Sequence, residues 1–180
     1  MSLPLPDSDA LAASHALQQE IASHIEEAGG AIPFSRFMEL ALYAPRLGYY
    51  SGGAAKLGAS GDFTTAPEIT PLFGAALARA AAAIIAQSAP NIIEFGAGTG
   101  ALAADMLDAL DALGVTADYR IIEVSADLKA VQQARLARFG DRVQWLDRLP
   151  DRFVGCVVAN EVLDAMPVTV FGFDANGALQ

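Results

Sequence analysis

Residues 92–100 read IIEFGAGTG: two branched aliphatics, an acid, a phenylalanine, then glycines at 96, 98 and 100. An apolar run of strand length that breaks into glycines and then into the helical pattern of Gly100 to Leu113 is a strand–turn–helix unit. The pattern recurs downstream. YRIIEV, RVQWL and GCVVAN are further apolar runs, and a second helical segment, Ser125 to Phe139, separates the first two. Strands alternating with helices build a parallel sheet covered on both faces, and strands buried on both faces are apolar throughout rather than at alternate positions. The fold class expected is α/β, a Rossmann-like, doubly wound sheet.

Ahead of the glycine loop the character is helical. Leu17, Ile21, Ile25 and Ala28 fall at helical spacing in a segment from Ser8 to Ala28, closed by Gly29-Gly30. A second helix is expected from about Pro33 to Tyr43, closed by Pro45. The stretch RLGYYSGGAAKLGASGDFTTAPE carries Tyr49, Tyr50 and Phe63 among its glycines and serines, so it reads as an ordered functional loop rather than a linker. Thr70-Pro71 then opens an alanine-rich helix reaching about Gln87. At the far end, PVTVFGFDANGALQ reads as a strand, an Asn-Gly turn and the start of a partner strand. The organisation expected is residues 1–88 as N-terminal helices and loop, 89–167 as the α/β core, and 168–180 as the start of a hairpin, with the chain truncated there.

Composition limits the function classes. A net charge of −10 leaves no basic patch for nucleic acid, and the most hydrophobic stretch, FGAALARAAAAIIAQ, is broken by Arg79 and too short for a membrane span. One cysteine, Cys156, in an apolar run reads as a buried strand thiol. No zinc spacing, P-loop or serine-hydrolase elbow is present, so no metal is expected. MSLPLPDSDALAAS has neither a basic nor an Arg-rich amphipathic character, and the expectation from it is a cytoplasmic protein. Oligomeric state is not legible.

The glycine run fits two ligand loops. As G-x-G-x-x-A, Gly96 to Ala101 is a dinucleotide fingerprint; as E-x-G-x-G-x-G, with Glu94 ahead of it, it suits an S-adenosyl group; a plain tight turn is the third reading. Glu94 separates the first two, because a carboxylate repels a pyrophosphate but attracts the sulfonium and ammonium of S-adenosylmethionine. Glu123, ending the second strand, stands where an acid accepts the ribose hydroxyls of either cofactor. Ser125 is placed to cap the following helix. Asp147, past the third strand, is either an acceptor for the adenine amino group or an exposed loop acid. Beyond the fourth strand lies NEVLDAMP, Asn160 to Pro167, where a methyl acceptor would meet the sulfonium carbon. Glu161 and Asp164, three residues apart, would share one face of a helical turn and could grip a guanidinium; alternatively they are acids at a helix N-terminus.

IPFSRFMELALYAPRLGYYS, GDFTTAPEITPLFG, IIEFGAGTGALAADML, IIEVSADLKAVQQARL and VVANEVLDAMPVTVF together resemble the MidA-type methyltransferases, which include a mitochondrial complex I assembly factor that methylates a protein arginine, and its bacterial relatives. The resemblance implies a class I methyltransferase fold and S-adenosyl-L-methionine held by Glu94, Gly96, Gly98, Gly100 and Glu123. It also implies that the loop from Gly61 to Glu68 covers the cofactor. Ala97, Ser125, Asp147 and Asn160, with Thr65 and Glu68 from the covering loop, complete the candidate set. By analogy with protein arginine methyltransferases, Glu161 and Asp164 are the catalytic candidates for an arginine-containing protein substrate, a complex I-type subunit. The competing classes are an NAD(P)-dependent oxidoreductase and a non-catalytic S-adenosylmethionine-binding assembly factor.

Overall fold

The computed structural model describes residues 6–52 and 64–179. The described residues form two compact units: the chain up to Gly53 together with Leu163 onward, and the span Ala54–Val162.

In the first unit, helix α1 (Ser8–Glu27) is capped by Asp7, whose carboxylate accepts from the amide of Ala10 at 2.8 Å. Helix α2 (Phe34–Tyr43) follows, its Phe34 and Phe37 rings stacked 5.9 Å apart. Gly48 then turns the chain tightly: a Cβ there would lie 2.5 Å from the amide nitrogen of Ala44. That turn brings Tyr50 onto Tyr43 at 5.7 Å, with Tyr49 edge-on to Tyr50 at 5.1 Å. The Tyr43 hydroxyl donates to the carbonyl of Ala165 at 2.7 Å, anchoring a 3-10 turn at Leu163–Ala165.

In the second unit, the short helix α3 (Ala66–Ile69) leads into α4 (Pro71–Ile85), which Thr70 caps through its hydroxyl. Four strands follow, β1 (Asn91–Phe95), β2 (Asp118–Ile122), β3 (Val143–Leu146) and β4 (Cys156–Ala159), with helix α5 (Ala101–Ala112) after β1 and helix α6 (Ala126–Leu136) after β2. All pairings are parallel and the order is β3-β2-β1-β4. The α/β class is therefore observed. Ile92, Ile93, Tyr119 and Ile121 from the sheet, with Met106, Leu107 and Leu110 of α5, form the fully buried centre. Helix α4 approaches α5 closely, because Gly74, Ala78 and Ala81 share its buried side. A Cβ on Gly74 would lie 2.5 Å from that of Asp105, so alanine and glycine here serve helix contact rather than mere propensity.

The strand order fixes where a ligand belongs. From β1 the chain steps outward to β2 and β3, then returns to the other side of β1 as β4. The reversal opens a crevice at the carboxyl ends of β1 and β4, the switch point where doubly wound sheets bind ligands.

Three expectations need correction. TTAPE was read as loop, whereas Ala66–Ile69 is helical, with Pro67 in the first turn where its missing N–H is no loss. The C-terminal hairpin is reduced to a single antiparallel bridge, Phe173 to Leu179. The Asp174 carboxylate accepts from the amides of Asn176 and Ala178, both at 2.8 Å, so the expected turn forms without a strand over Pro167–Gly172. Lastly, Glu161 and Asp164 share no helical turn: Glu161 has φ of 51°, which breaks the helical path before the turn at Leu163 begins. Of the expected covering loop, Gly61 to Phe63 lie outside the described residues.

Candidate cofactor site at the switch point

The loop after β1 requires its glycines for backbone shape. Gly96, Gly98 and Gly100 have φ of 58°, 55° and 81°, the left-handed region that side chains disfavour. Space is not the constraint, since a Cβ on Gly96 or Gly100 would meet only ordinary contacts at 3.4 Å. The amide of Gly96 donates to the carbonyl of Ile122 at 3.0 Å, tying the loop to the end of β2, and the amide of Gly100 donates to Ala97 at 2.8 Å. Ala97 is buried inside the turn. Gly100 caps α5 without a side chain, so no side-chain oxygen occupies the first amides of that helix.

Beneath this loop sits Glu94, only 2% exposed. Its carboxyl accepts the Tyr119 hydroxyl at 2.9 Å, and Tyr119 also reaches the sulfur of Met106 at 3.7 Å. Burial pushes Glu94 up to about 8, the Tyr119 bond opposes that rise, and the charge of Glu123 adds to it. The same burial and the neighbouring Glu94 hold the Tyr119 hydroxyl well above its usual value. Glu94 is thus an internal carboxyl that its surroundings hold towards the protonated form.

Glu123, just past β2, is gripped on both oxygens. One accepts the amide of Ser125 at 2.8 Å and the other accepts the side-chain amide of Gln132 at 2.9 Å. Ser125 is the N-cap of α6, accepting from Leu128 at 3.3 Å, so its expected capping role is observed. Each carboxylate oxygen has a second acceptor position, which leaves the oriented group able to receive two further hydroxyls.

Glu68 has partners of its own. Its carboxylate receives the hydroxyl of Thr99, and Arg135 donates to the same Thr99 oxygen at 2.5 Å while lying 3.8 Å from Glu68. The three side chains clasp α3 to the glycine loop. Thr65 is half-buried at the start of α3. A cleft of about 450 Å³ opens beside the clasp, lined by Pro67, Glu68, Ala101, Asp105 and Arg135 among others.

Asn160 and Glu161 follow β4 on the other flank of the crevice, where the Val162 side chain comes within 3.4 Å of a Cβ position on Gly96. Asn160 is half-buried and Glu161 exposed. In the other unit, Asp164 is exposed, and burial followed by the Asp164 charge holds the Tyr50 hydroxyl above its usual range. Asp147 stands in solvent, its side chain 96% exposed and 3.7 Å from Lys129. Sequence reasoning overlooked Gln132. Its signal was there: Leu128, Gln132 and Leu136 repeat at four-residue intervals, so a polar residue interrupts an apolar stripe.

A parallel sheet whose switch point carries a left-handed glycine loop, followed one strand later by an oriented carboxylate, defines an α/β domain built to hold a nucleoside cofactor. A model of the S-adenosyl-L-methionine-dependent methyltransferases matches residues 74–180, and the chain belongs to that family. It is similar to the mitochondrial protein arginine methyltransferase NDUFAF7 of Danio rerio, 30% identical across 91% of this chain and 46% of that protein. Its Drosophila melanogaster homologue is 30% identical across 77% of this chain and 38% of its own length. Among solved structures, a Burkholderia thailandensis protein bound to S-adenosylhomocysteine is 48% identical, with a TM-score of 0.84, covering 99% of this chain and 52% of that one. The chain therefore spans from 38% to 52% of the length of these relatives. The cytoplasmic location expected from the first residues is overturned by the relatives' names, which are mitochondrial in fish, worm and mouse alike.

Proposed function

We propose that this chain is the cofactor-binding part of an S-adenosyl-L-methionine-dependent methyltransferase that modifies an arginine side chain of a protein. The observation that carries the reading is the bacterial neighbour, which matches nearly the whole chain and holds S-adenosylhomocysteine. The site supports it chemically. The glycine loop, Gly96 to Gly100 with Ala97 inside it, gives close backbone approach to the methionine end, and Glu94 below it supplies the countercharge for a cationic ligand. Glu123 would take the ribose hydroxyls, with Ser125 fixing one of its oxygens. Thr65 and Glu68 belong to the expected covering segment, Asp147 is the candidate for the adenine end, and Asn160 is the candidate for the sulfonium end.

When bound, S-adenosyl-L-methionine would supply a methyl group for in-line displacement by an acceptor nitrogen, its carbon–sulfur bond breaking to leave a neutral thioether. The protein's part is alignment, exclusion of water and acceptance of the proton that the alkylated nitrogen loses. Glu161 and Asp164 are proposed for holding the guanidinium and for that proton. The protein arginine acceptor follows the names of the animal relatives, and a respiratory complex I subunit follows the sequence resemblance.

Radiolabelled methyl transfer by the intact protein into mitochondrial or bacterial lysate tests the activity. Label in a protein band, released as methylarginine on hydrolysis, is the expected result. Cofactor binding without label in any protein would make the chain an assembly factor that keeps the fold without the reaction.

A further inference from the structure

Among the described residues, the buried polar or charged side chains are Glu94, Ser125 and Gln132, and Gln132 is fully buried. A glutamine wholly inside a protein is costly unless its amide finds partners. Its nitrogen donates to the Gly98 carbonyl and to the Glu123 carboxylate, each at 2.9 Å, and its oxygen accepts the indole N–H of Trp145 at 2.8 Å. The orientation of the amide follows from chemistry. An indole nitrogen can only donate, so the atom facing Trp145 must be the oxygen, which turns both N–H groups towards two acceptors.

We infer that Gln132 is the positioning residue of the cofactor site, its buried amide locking the Glu123 carboxylate and the Gly98 carbonyl into binding geometry and tying both to Trp145. The two acceptors come from different strand ends, the loop after β1 and the acid after β2, which no backbone bond between Gly98 and Glu123 links. Gln132 joins them through bonds made within the protein itself, and a pair held by its own fold needs little reordering to take a nucleoside. A leucine would fill the stripe between Leu128 and Leu136 equally well, which argues that the amide is there for its donors. Trp145 is the single tryptophan of the chain, so its emission reports on this relay alone.

The inference rests on the reading of Glu123 as the ribose acid, and the test separates the two. S-adenosylhomocysteine is titrated calorimetrically into the intact wild-type protein and into Glu123→Ala, Gln132→Leu and Gln132→Glu, with Trp145 emission followed in parallel. Glu123→Ala and Gln132→Leu should each weaken binding about 10-fold or more, since each leaves buried or half-buried partners unpaired. Ligand should shift Trp145 emission in the wild type and not in Gln132→Leu. In Gln132→Glu, a carboxylate would face Glu123 and the Gly98 carbonyl. Its affinity relative to wild type should therefore recover as pH falls from about 8 to about 5.5, where protonation restores one donor. A purely structural glutamine would leave that ratio flat. Loss of binding in Glu123→Ala with wild-type binding in folded Gln132→Leu overturns the inference alone. Unchanged binding in Glu123→Ala overturns the ribose reading and the inference with it. If Gln132→Leu does not fold, the ratio for Gln132→Glu decides, and a flat ratio contradicts the relay.

Discussion

Glu94 is the residue where the fold and the proposed chemistry oppose one another. With its carboxyl held up to about 8 against an ordinary value of 4.5, the folded protein keeps a proton that the unfolded chain gives up. Stability from this group is therefore intact below about pH 4.5 and falls as pH rises towards about 8, because the native state binds more protons than the unfolded state across that window. Glu94→Gln keeps an acceptor for Tyr119 and removes the titration. It should raise the melting temperature at about pH 8, by about 2–4 °C for each kcal/mol recovered, and leave it nearly unchanged at about pH 4.5. Scanning calorimetry at the two pH values checks this; an equal shift at both would mean that the carboxyl ionises normally. The ligand side has the opposite sign. A cation seated above Glu94 favours its ionised form, so affinity for S-adenosylmethionine should tighten as pH rises through about 8 and binding near neutrality should release a proton. Titrations in two buffers of different ionisation enthalpy measure that proton.

At the scale of elements, the clasp of Glu68, Thr99 and Arg135 joins a short helix to the glycine loop. Four residues cannot hold a helix by themselves, so α3 depends on that clasp and on its continuity with α4. Thr99→Val keeps the side chain's volume and removes the hydroxyl that both partners use. Amide exchange in α3 should quicken by about 5–10-fold, the equivalent of about 1 kcal/mol, while α5 is unaffected. Unchanged exchange would mean that α3 is held by packing alone. The clasp also marks the limit of what the sequence discloses. The strands, their parallel class and the glycine loop were legible because apolar runs and glycines act locally. Helix α3 was not, since its stability comes from Thr99 and Arg135, more than thirty residues away. The C-terminal strand was over-read for the complementary reason: PVTVF has strand composition, yet Asp174 organises the turn and no neighbouring strand pairs with Val168 or Val170 among the described residues. At the site, Glu123 and the glycines could be named from position, whereas Gln132 required seeing three hydrogen bonds converge.

At the scale of the whole molecule, β4 pairs with β1 on one side and forms an edge of the described sheet on the other. Val154 and Val157, which lie on or beside it, are 59% and 56% exposed. An open, apolar edge invites strand pairing with another chain. Sedimentation of the 180-residue chain should show concentration-dependent association, which a lysine at Val157 should reduce; a strictly monomeric species would show that the edge is protected. The central claim concerns the cofactor crevice, which lies at the carboxyl ends of β1 and β4, away from that free edge. Calorimetric titration of the intact protein with S-adenosylhomocysteine, set beside the same titration with NADH, tests it most directly. The account predicts one-to-one binding of S-adenosylhomocysteine, lost in Glu123→Ala, and no binding of NADH. Heat with NADH but none with S-adenosylhomocysteine would contradict it.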